Sequence, residues 1–400
     1  MRRYVIDYIV HNLGRLAHGK PAYCVAVKLQ LGYSFHVLDP QIGICAALIY
    51  SEKHLKEVFE KMEDYKKMNL DVNTFFEMTG MIGSICNNPE DYASFYHNYK
   101  GKRYRHDQVH NLFGYYMTRS ALEAFERYVP EKRILLFSRA SYIGMHRFGG
   151  IWQGDNASWW SHLKMNVKMM PSLNMCGFLY TGADVGGFGA DATEDLVLRW
   201  LEFAVFTPLL RNHSARGTRR QEVYRFSHVE KFADVIGVRY QILPYIYSEY
   251  MKAALRNTMM FNPLAFLYGE DALAGQVEDQ LFIGENVMVA PVCEQNMSGR
   301  VVYFPERMKQ LIFKNGIVEE GKVYEKGFSY VEMPMGTVHV FLREGYLFPV
   351  AKGGKCVEDV DFEDLTLYSF GEEIKPYEYY LDDGETKDFT IESHIRMLSC

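Results

Sequence analysis

The chain has 400 residues, 48% of them hydrophobic, 24% charged and 15% aromatic, with a formal net charge of −6 and a pI of about 6.1. Two or three domains with a large buried core fit that length, and the composition argues against general disorder. The acidic balance argues against nucleic acid or an anionic membrane as a partner. Seven cysteines (Cys24, Cys45, Cys86, Cys176, Cys293, Cys356 and Cys400) are scattered without a C-x-x-C pair, which speaks against a zinc ribbon or a disulfide framework. The start, Met1-Arg2-Arg3-Tyr4, has charge but no apolar stretch or small-residue cleavage site, and the longest early apolar run, 42–50, is too short to span a bilayer. A cytoplasmic location is the expectation.

In chain order, residues 1–50 carry short apolar runs without a helix or strand period and no motif. Across 51–68, Leu55, Val58, Phe59 and Met62 recur at helical spacing and predict a charged amphipathic helix. Asn88 before Pro89 reads as the cap and first residue of another helix. A helix is predicted over 109–128, with Tyr116, Ala121, Ala124 and Phe125 on its buried face and Pro130 ending it. From 133 to 226, four short apolar runs each end in a polar residue and lead through a loop into a helical pattern. The clearest of those helices are 159–169 and 194–206. This is the rhythm of βα units in a parallel barrel, whose active groups sit at the C-terminal ends of strands. A long helix over 232–255 is expected to kink at Pro244. Beyond about 268 the pattern changes to short alternating segments at 287–291, 300–304, 327–333, 338–342 and 377–381. Turn chemistry separates them, including Lys314-Asn315-Gly316 and Asp382-Asp383-Gly384, and predicts β-sandwich domains.

Several residues in the 133–226 stretch are capable of chemistry. Asp155 lies in Trp152-Gln153-Gly154-Asp155-Asn156. A carboxyl at a strand end, with glycine for backbone access and tryptophan as an apolar wall, suits a general acid, because an apolar wall disfavours a carboxylate's charged form. The competing reading is an N-cap for the helix near 159, which Asn156 or Ser158 would serve equally. Asp184, in Gly182-Ala183-Asp184-Val185-Gly186-Gly187, is either a ligand contact on permissive backbone or a turn aspartate. The following Gly187-Phe188-Gly189-Ala190-Asp191-Ala192 mimics a dinucleotide fingerprint, but Asp191 and Asp195 would set negative charge where a pyrophosphate belongs. Arg139 closes its run and offers a fork for hydroxyl or carboxylate. His213 closes another and is open to a purely structural reading; no Cys/His cluster accompanies it, so no metal is expected there. Neither a phosphate loop of the Walker type nor a G-x-S-x-G elbow occurs in the chain.

Taken together these runs resemble the α-glucosidases of glycoside hydrolase family 31, the bacterial gut-type members in particular. The resemblance rests on His110-Asn111-Leu112-Phe113-Gly114, Phe137-Ser138-Arg139-Ala140-Ser141, Trp152-Gln153-Gly154-Asp155-Asn156, Gly182 to Phe188, and Pro208-Leu209-Leu210-Arg211-Asn212-His213. Further on it includes Ala290-Pro291-Val292, Arg343-Glu344-Gly345 with Pro349, and Tyr380-Leu381-Asp382-Asp383-Gly384. It covers about residues 51–395. It implies an α/β fold: the second half of a TIM (β/α)8 barrel followed by C-terminal β-sandwich domains. The expected organisation is an unmatched segment over 1–50, a partial barrel with a helical insert over 51–268, a proximal β-domain over 269–350 and a distal one over 351–400. By resemblance Asp155 is the general acid/base. Arg139, Asp184 and His213 hold sugar hydroxyls, and Trp152 and Phe188 wall the −1 subsite. The implied reaction is retaining hydrolysis of α-linked glucose from non-reducing ends of oligosaccharides, without metal or cofactor.

One departure matters. The family's nucleophile lies in a W-x-D-M-N-E motif, which this sequence does not contain. The expected position, 38–46, reads Leu38-Asp39-Pro40-Gln41-Ile42-Gly43-Ile44-Cys45-Ala46, with Asp39 its one carboxylate. Two expectations follow: a family hydrolase truncated or frame-disrupted at its start, or a non-catalytic remnant, either a sugar-binding pseudoenzyme or a chain that never folds stably.

Overall fold

The computed structural model describes three short strands, β1 (Val27–Lys28), β2 (Tyr33–His36) and β3 (Leu48–Ser51), together with residues 92–93 and 96–399. The helix expected over 51–68, the Asn88–Pro89 helix start and Asp39 all lie outside the described residues. Two compact units divide the chain, Met1–Phe113 and Gly114–Cys400. In the first, β1, β2 and β3 form an antiparallel sheet, and a hairpin pairs β4 (Tyr96–Tyr99) with β5 (Lys102–Arg105). The helix α1 (His106–Tyr128) runs across the boundary between the units.

The expected buried face of α1 is wrong. Tyr116 and Phe125 are exposed, whereas Gly114 and Thr118 are buried. A Cβ on Gly114 would lie 2.5 Å from the Ala140 carbonyl oxygen, and Thr118 Oγ1 donates to the Gly114 carbonyl at 3.0 Å. The side that packs is the one whose small residues allow backbone to come close, so ring size misleads there.

Three short parallel strands follow: β6 (Phe137–Ser138), β7 (Gly150–Trp152) and β8 (Thr181–Gly182), in that spatial order. A fourth segment continues the set, through the Leu209 N–H on the Thr181 carbonyl at 3.2 Å and a parallel bridge between Asp184 and Arg211. Between them lie α2 (Trp160–Met175) and α3 (Glu194–Ala204), and α4 (Val229–Arg256) follows. α2 extends six residues beyond its expected end and takes Pro171 within it, stopping before Gly177, whose φ of +86° suits a left-handed terminus. α4 is continuous across Pro244 and closes on Asn257 at φ 55°.

The C-terminal part is antiparallel, as its alternation predicts. A six-stranded sheet has the order β14 (Ile317–Tyr324), β13 (Met308–Lys314), β16 (Val338–Arg343), β11 (Val287–Val289), β10 (Leu281–Ile283), β9 (Phe261–Pro263). Asn315 and Gly316, at φ 52° and 74°, make the two-residue loop joining β13 to β14, with Lys314 opposite Ile317. Both loop positions need positive φ, which is why Asn-Gly announces this hairpin. Three ribbons complete the region: β12 (Gly299–Phe304) with β15 (Gly327–Glu332), β17 (Leu347–Ala351) with β18 (Leu365–Ser369), and β19 (Tyr377–Tyr380) with β20 (Ile395–Leu398). One apolar core runs from α2 through Trp200 of α3 and Phe232, Ile242 and Tyr245 of α4 to Phe348 and Val350 of β17. Tyr245 meets Phe348 edge-on, ring centres 4.9 Å apart. Each such ring removed from water contributes about 1.5–3 kcal/mol, so the helices and β17 are held together through this cluster, while a second cluster gathers Phe282, Tyr303, Phe304 and Phe341.

Candidate active site

The six residues singled out from the sequence come together at the C-terminal ends of β6, β7, β8 and the fourth segment. Arg139 directly follows β6 and its Nη2 donates to Asp155 Oδ1. The Arg139 guanidinium lies 4.9 Å from the centre of the Trp152 ring, and that of Arg211 lies 5.6 Å from it. Arg211 Nε donates to Asp184 Oδ1 at 2.6 Å. Phe188 and His213 lie ring to ring, 5.1 Å between centres at 31°. The chain of contacts therefore runs Asp155–Arg139–Trp152–Arg211–Asp184. His213 and Asp155 are both close enough to Asp184 to act on its charge.

Local structure explains why Asp155 is presented and not used as a cap. α2 has Trp159 at its N-cap position without a side-chain bond. Asn156, the rival cap, donates from Nδ2 to Asn166 Oδ1 at 2.7 Å, and Ser158 Oγ donates to the Gly189 carbonyl at 3.0 Å. Asn166, buried on α2, also donates to Gln153 Oε1. One helical asparagine thus holds the loop on both sides of Gly154, whose φ of +80° turns the chain into Asp155. The side chain of Asp155 is 42% exposed and bound by a guanidinium. Trp152, the apolar wall expected there, has the Arg139 guanidinium over its ring.

Asp184 is the opposite case. It is wholly buried, and burial pushes its carboxyl above the usual range. Arg211 and His213 pull in the other direction, and Asp155 adds to the upward push. Its Oδ2 and the Trp152 Nε1–H are buried without a protein partner, one acceptor and one donor at adjacent strand ends. Asp184 also opens a turn, its carbonyl accepting the Gly187 amide at 2.9 Å, so the turn and the buried carboxylate occur together. A Cβ on Gly187, at φ +90°, would lie 2.5 Å from the Ser158 amide nitrogen, so the glycine after Asp184 serves a close approach of two loops. The Phe188 and Gly189 amides both donate to the Asn156 carbonyl, at 2.7 and 3.0 Å, joining the Asp155 loop to the Phe188 loop.

Sequence reasoning missed three residues that build this site. Arg211 was visible only as part of a motif; its signal was a cation two residues before His213. Asn166 sits on the buried face of α2 beside Leu163, Val167 and Met170, with Asn174 the other buried polar residue there; a polar residue at a core position is the signal. Gln221, 1% exposed, donates to the Val185 and Gly187 carbonyls at 3.1 and 3.0 Å and ties the loop after the fourth segment to the Asp184 loop. It lies in Arg219-Arg220-Gln221-Glu222, where no pattern marks it. Among the described residues no group of three His, Cys, Asp or Glu side chains is arranged to hold a metal ion, and no helix is long and apolar enough to cross a membrane.

Short parallel strands alternating with helices, with carboxylates and arginines gathered at the C-terminal strand ends, are the arrangement of the functional face of a TIM barrel. Residues 45–249 match the glycosyl hydrolases family 31 TIM-barrel domain, and residues 257–348 match the glycosyl hydrolase family 31 C-terminal domain. This chain belongs to glycosyl hydrolase family 31. It is 30% identical over 306 residues to alpha-glucosidase 2 of Bacillus thermoamyloliquefaciens, covering 75% of this chain and 38% of that protein. It is 28% identical to human neutral alpha-glucosidase AB over 302 residues, covering 72% of this chain and 31% of that protein. A GH31 dextranase of Flavobacterium johnsoniae, complexed with glucose, superposes with a TM-score of 0.67 at 26% identity, covering 76% of this chain and 38% of the dextranase. The chain thus spans less than two fifths of the length of these relatives.

Proposed function

We propose that this chain carries the acid/base side of a retaining α-glucoside hydrolase site that releases α-linked glucose from non-reducing ends. The observation that carries the reading is Asp155, presented at the end of β7 and held by Arg139 beside the buried Asp184–Arg211 pair. In this reading Asp155 donates a proton to the leaving oxygen and later takes one from water. Asp184, Arg139 and His213 hold sugar hydroxyls, and Trp152 and Phe188 flank the ring. Support comes from the two α-glucosidase relatives and from the glucose complex of the dextranase. Retention needs a second carboxylate about 5–5.5 Å from the first. The W-x-D-M-N-E motif is absent from the sequence, and Asp39 remains the sole carboxylate at its expected place. That observation favours a second reading, a sugar-binding chain without turnover.

The experiment compares two proteins. One is the 400-residue chain; the other is a chimera in which residues 1–44 give way to the corresponding amino-terminal part of the Bacillus thermoamyloliquefaciens relative. The chimera is expected to hydrolyse maltose and an aryl α-glucoside, and the chain alone to bind glucose without turning over either. In the chimera, Asp155→Ala should reduce maltose turnover by a factor on the order of 10²–10⁴. The aryl substrate, whose leaving group needs little protonation, should suffer far less. Equal losses on both substrates would remove Asp155 from the acid role. Turnover by the chain alone, abolished by Asp39→Ala, would place the nucleophile at Asp39 and refute the second reading.

A further inference from the structure

The motif Tyr380-Leu381-Asp382-Asp383-Gly384 lies outside the candidate site, yet its contacts lead to it. The Asp382 side chain is fully buried and accepts four bonds. Arg133 Nη2 and Tyr380 Oη reach Oδ2 at 2.6 and 2.8 Å; Tyr247 Oη and the Gly384 amide reach Oδ1 at 2.6 and 2.9 Å. Burial alone would push this carboxyl up, but the bonds from Arg133, Tyr247 and Tyr380 outweigh it and hold the carboxyl below its usual range. Arg133 is gripped further. Its amide donates to the Glu385 carbonyl at 2.9 Å, its Nη1 to Tyr247 Oη at 2.8 Å, and its Nε to the Thr386 carbonyl. Lys132 pairs with Thr386 in an antiparallel bridge. The loop that grips it is itself braced: Asp383 Oδ1 accepts the Glu385 and Thr386 amides, both at 2.9 Å, and Gly384 sits at φ +71°.

Arg133 begins the run that ends in Arg139. Six residues of extended chain reach about 20 Å. Over that run the regular strand β6 is two residues long and has β7 as its one partner among the described strands. Few bonds therefore set how far Arg139 protrudes from the strand end, and the densest group of them sits at Arg133. We propose that Asp382 is a positioning residue for the candidate site: through Arg133 it holds β6 in place along its axis, and so holds Arg139 against Asp155 and Trp152. The functional meaning of this rests on the reading of Arg139 and Asp155 given above; the mechanical claim does not.

The test is hydrogen exchange read by mass spectrometry on the 400-residue chain, with Asp382→Ala and, as control, Arg256→Ala. The control breaks a different tie between α4 and β19, the exposed Arg256–Glu378 pair, without touching Arg133. Asp382→Ala is expected to speed exchange about tenfold or more in 133–140 and 150–156 while 287–304 stays protected, and Arg256→Ala to leave 133–140 unchanged. Faster exchange confined to 380–390, or a uniform rise along the chain, would show that Asp382 only secures its own loop or the global fold, and would overturn the proposal. If Asp382→Ala does not fold, Arg133→Lys, which keeps the charge and loses the fork, is read by the same pattern. A second arm measures 1-deoxynojirimycin binding by calorimetry for Asp382→Ala, Arg139→Ala and the double variant. Non-additive losses support positioning through Arg139, and additive losses oppose it. Should the parent chain not bind this probe, the α-glucosidase reading fails while the exchange pattern still decides the role of Asp382.

Discussion

The loops after β7 and β8 each present one aspartate beside one arginine, and there the likeness ends. Asp155 and Arg139 have side chains 42% and 59% exposed, so water screens their attraction and competes for every bond. Asp184 is wholly buried and Arg211 only 30% exposed, so this pair has given up most of its hydration and depends on its own geometry. The first arrangement leaves a carboxyl that water and ligand can reach. The second fixes a carboxylate whose Oδ2 is buried without a protein partner. A site that moves a proton at one carboxyl and grips a substrate with another needs both kinds.

That contrast can be broken at its buried end with the largest effect. Arg211→Ala strands the Asp184 charge and is expected to cost about 3–5 kcal/mol of stability; urea denaturation measures it, and a loss under about 1 kcal/mol would show that water already reaches Asp184. A third carboxylate sharpens the rule. Glu202 on α3 pairs with Arg199 at 2.8 Å and accepts the Gly336 amide at 2.7 Å. Burial nevertheless pushes its carboxyl up to about 7, with Arg199 and Gly336 only partly offsetting it. Because the folded value is raised, its contribution to stability is fully present below about pH 4.5, the ordinary glutamate range, and is lost as pH rises through about 7. The parent should thus lose stability, on the order of a few kcal/mol, between those limits, and Glu202→Gln should flatten that part of the curve. An unchanged slope in the variant would assign the pH dependence elsewhere, Asp184 being the next candidate.

A smaller effect is expected behind the exposed carboxylate. Asn166→Ala removes the side chain joining Gln153 to Asn156 and should cost about 1–3 kcal/mol through the buried groups left unpaired. Ligand binding should fall with it, since the loop around Gly154 loses its hold. The smallest effect belongs to the exposed pair itself: Asp155→Ala should change stability by no more than about 1 kcal/mol while cutting maltose turnover in the chimera by a factor on the order of 10²–10⁴. A large loss of stability there would mean that Asp155 is structural and that the two loops are more alike than their exposure indicates.

Much of the molecule is written locally. The Asn315-Gly316 hairpin, the alternating strands after residue 280, the apolar faces of α3 and α4 and the polar residues closing four short runs can each be read within about ten residues. Backbone φ preferences and side-chain periodicity act over that range. The sequence by itself determined this alternation of elements and the placement of Asp155, Asp184 and His213 at strand ends. Only the tertiary structure decided that Gly114 and Thr118, not Tyr116 and Phe125, face inward on α1. It also decided that Asn156 bonds Asn166 instead of capping α2, that Arg211 pairs with Asp184, and that Asp382 holds a residue 249 positions away. Those outcomes share one physical cause. A buried polar side chain must find its partner wherever the fold brings one, and the choice leaves no periodic trace in the residues around it.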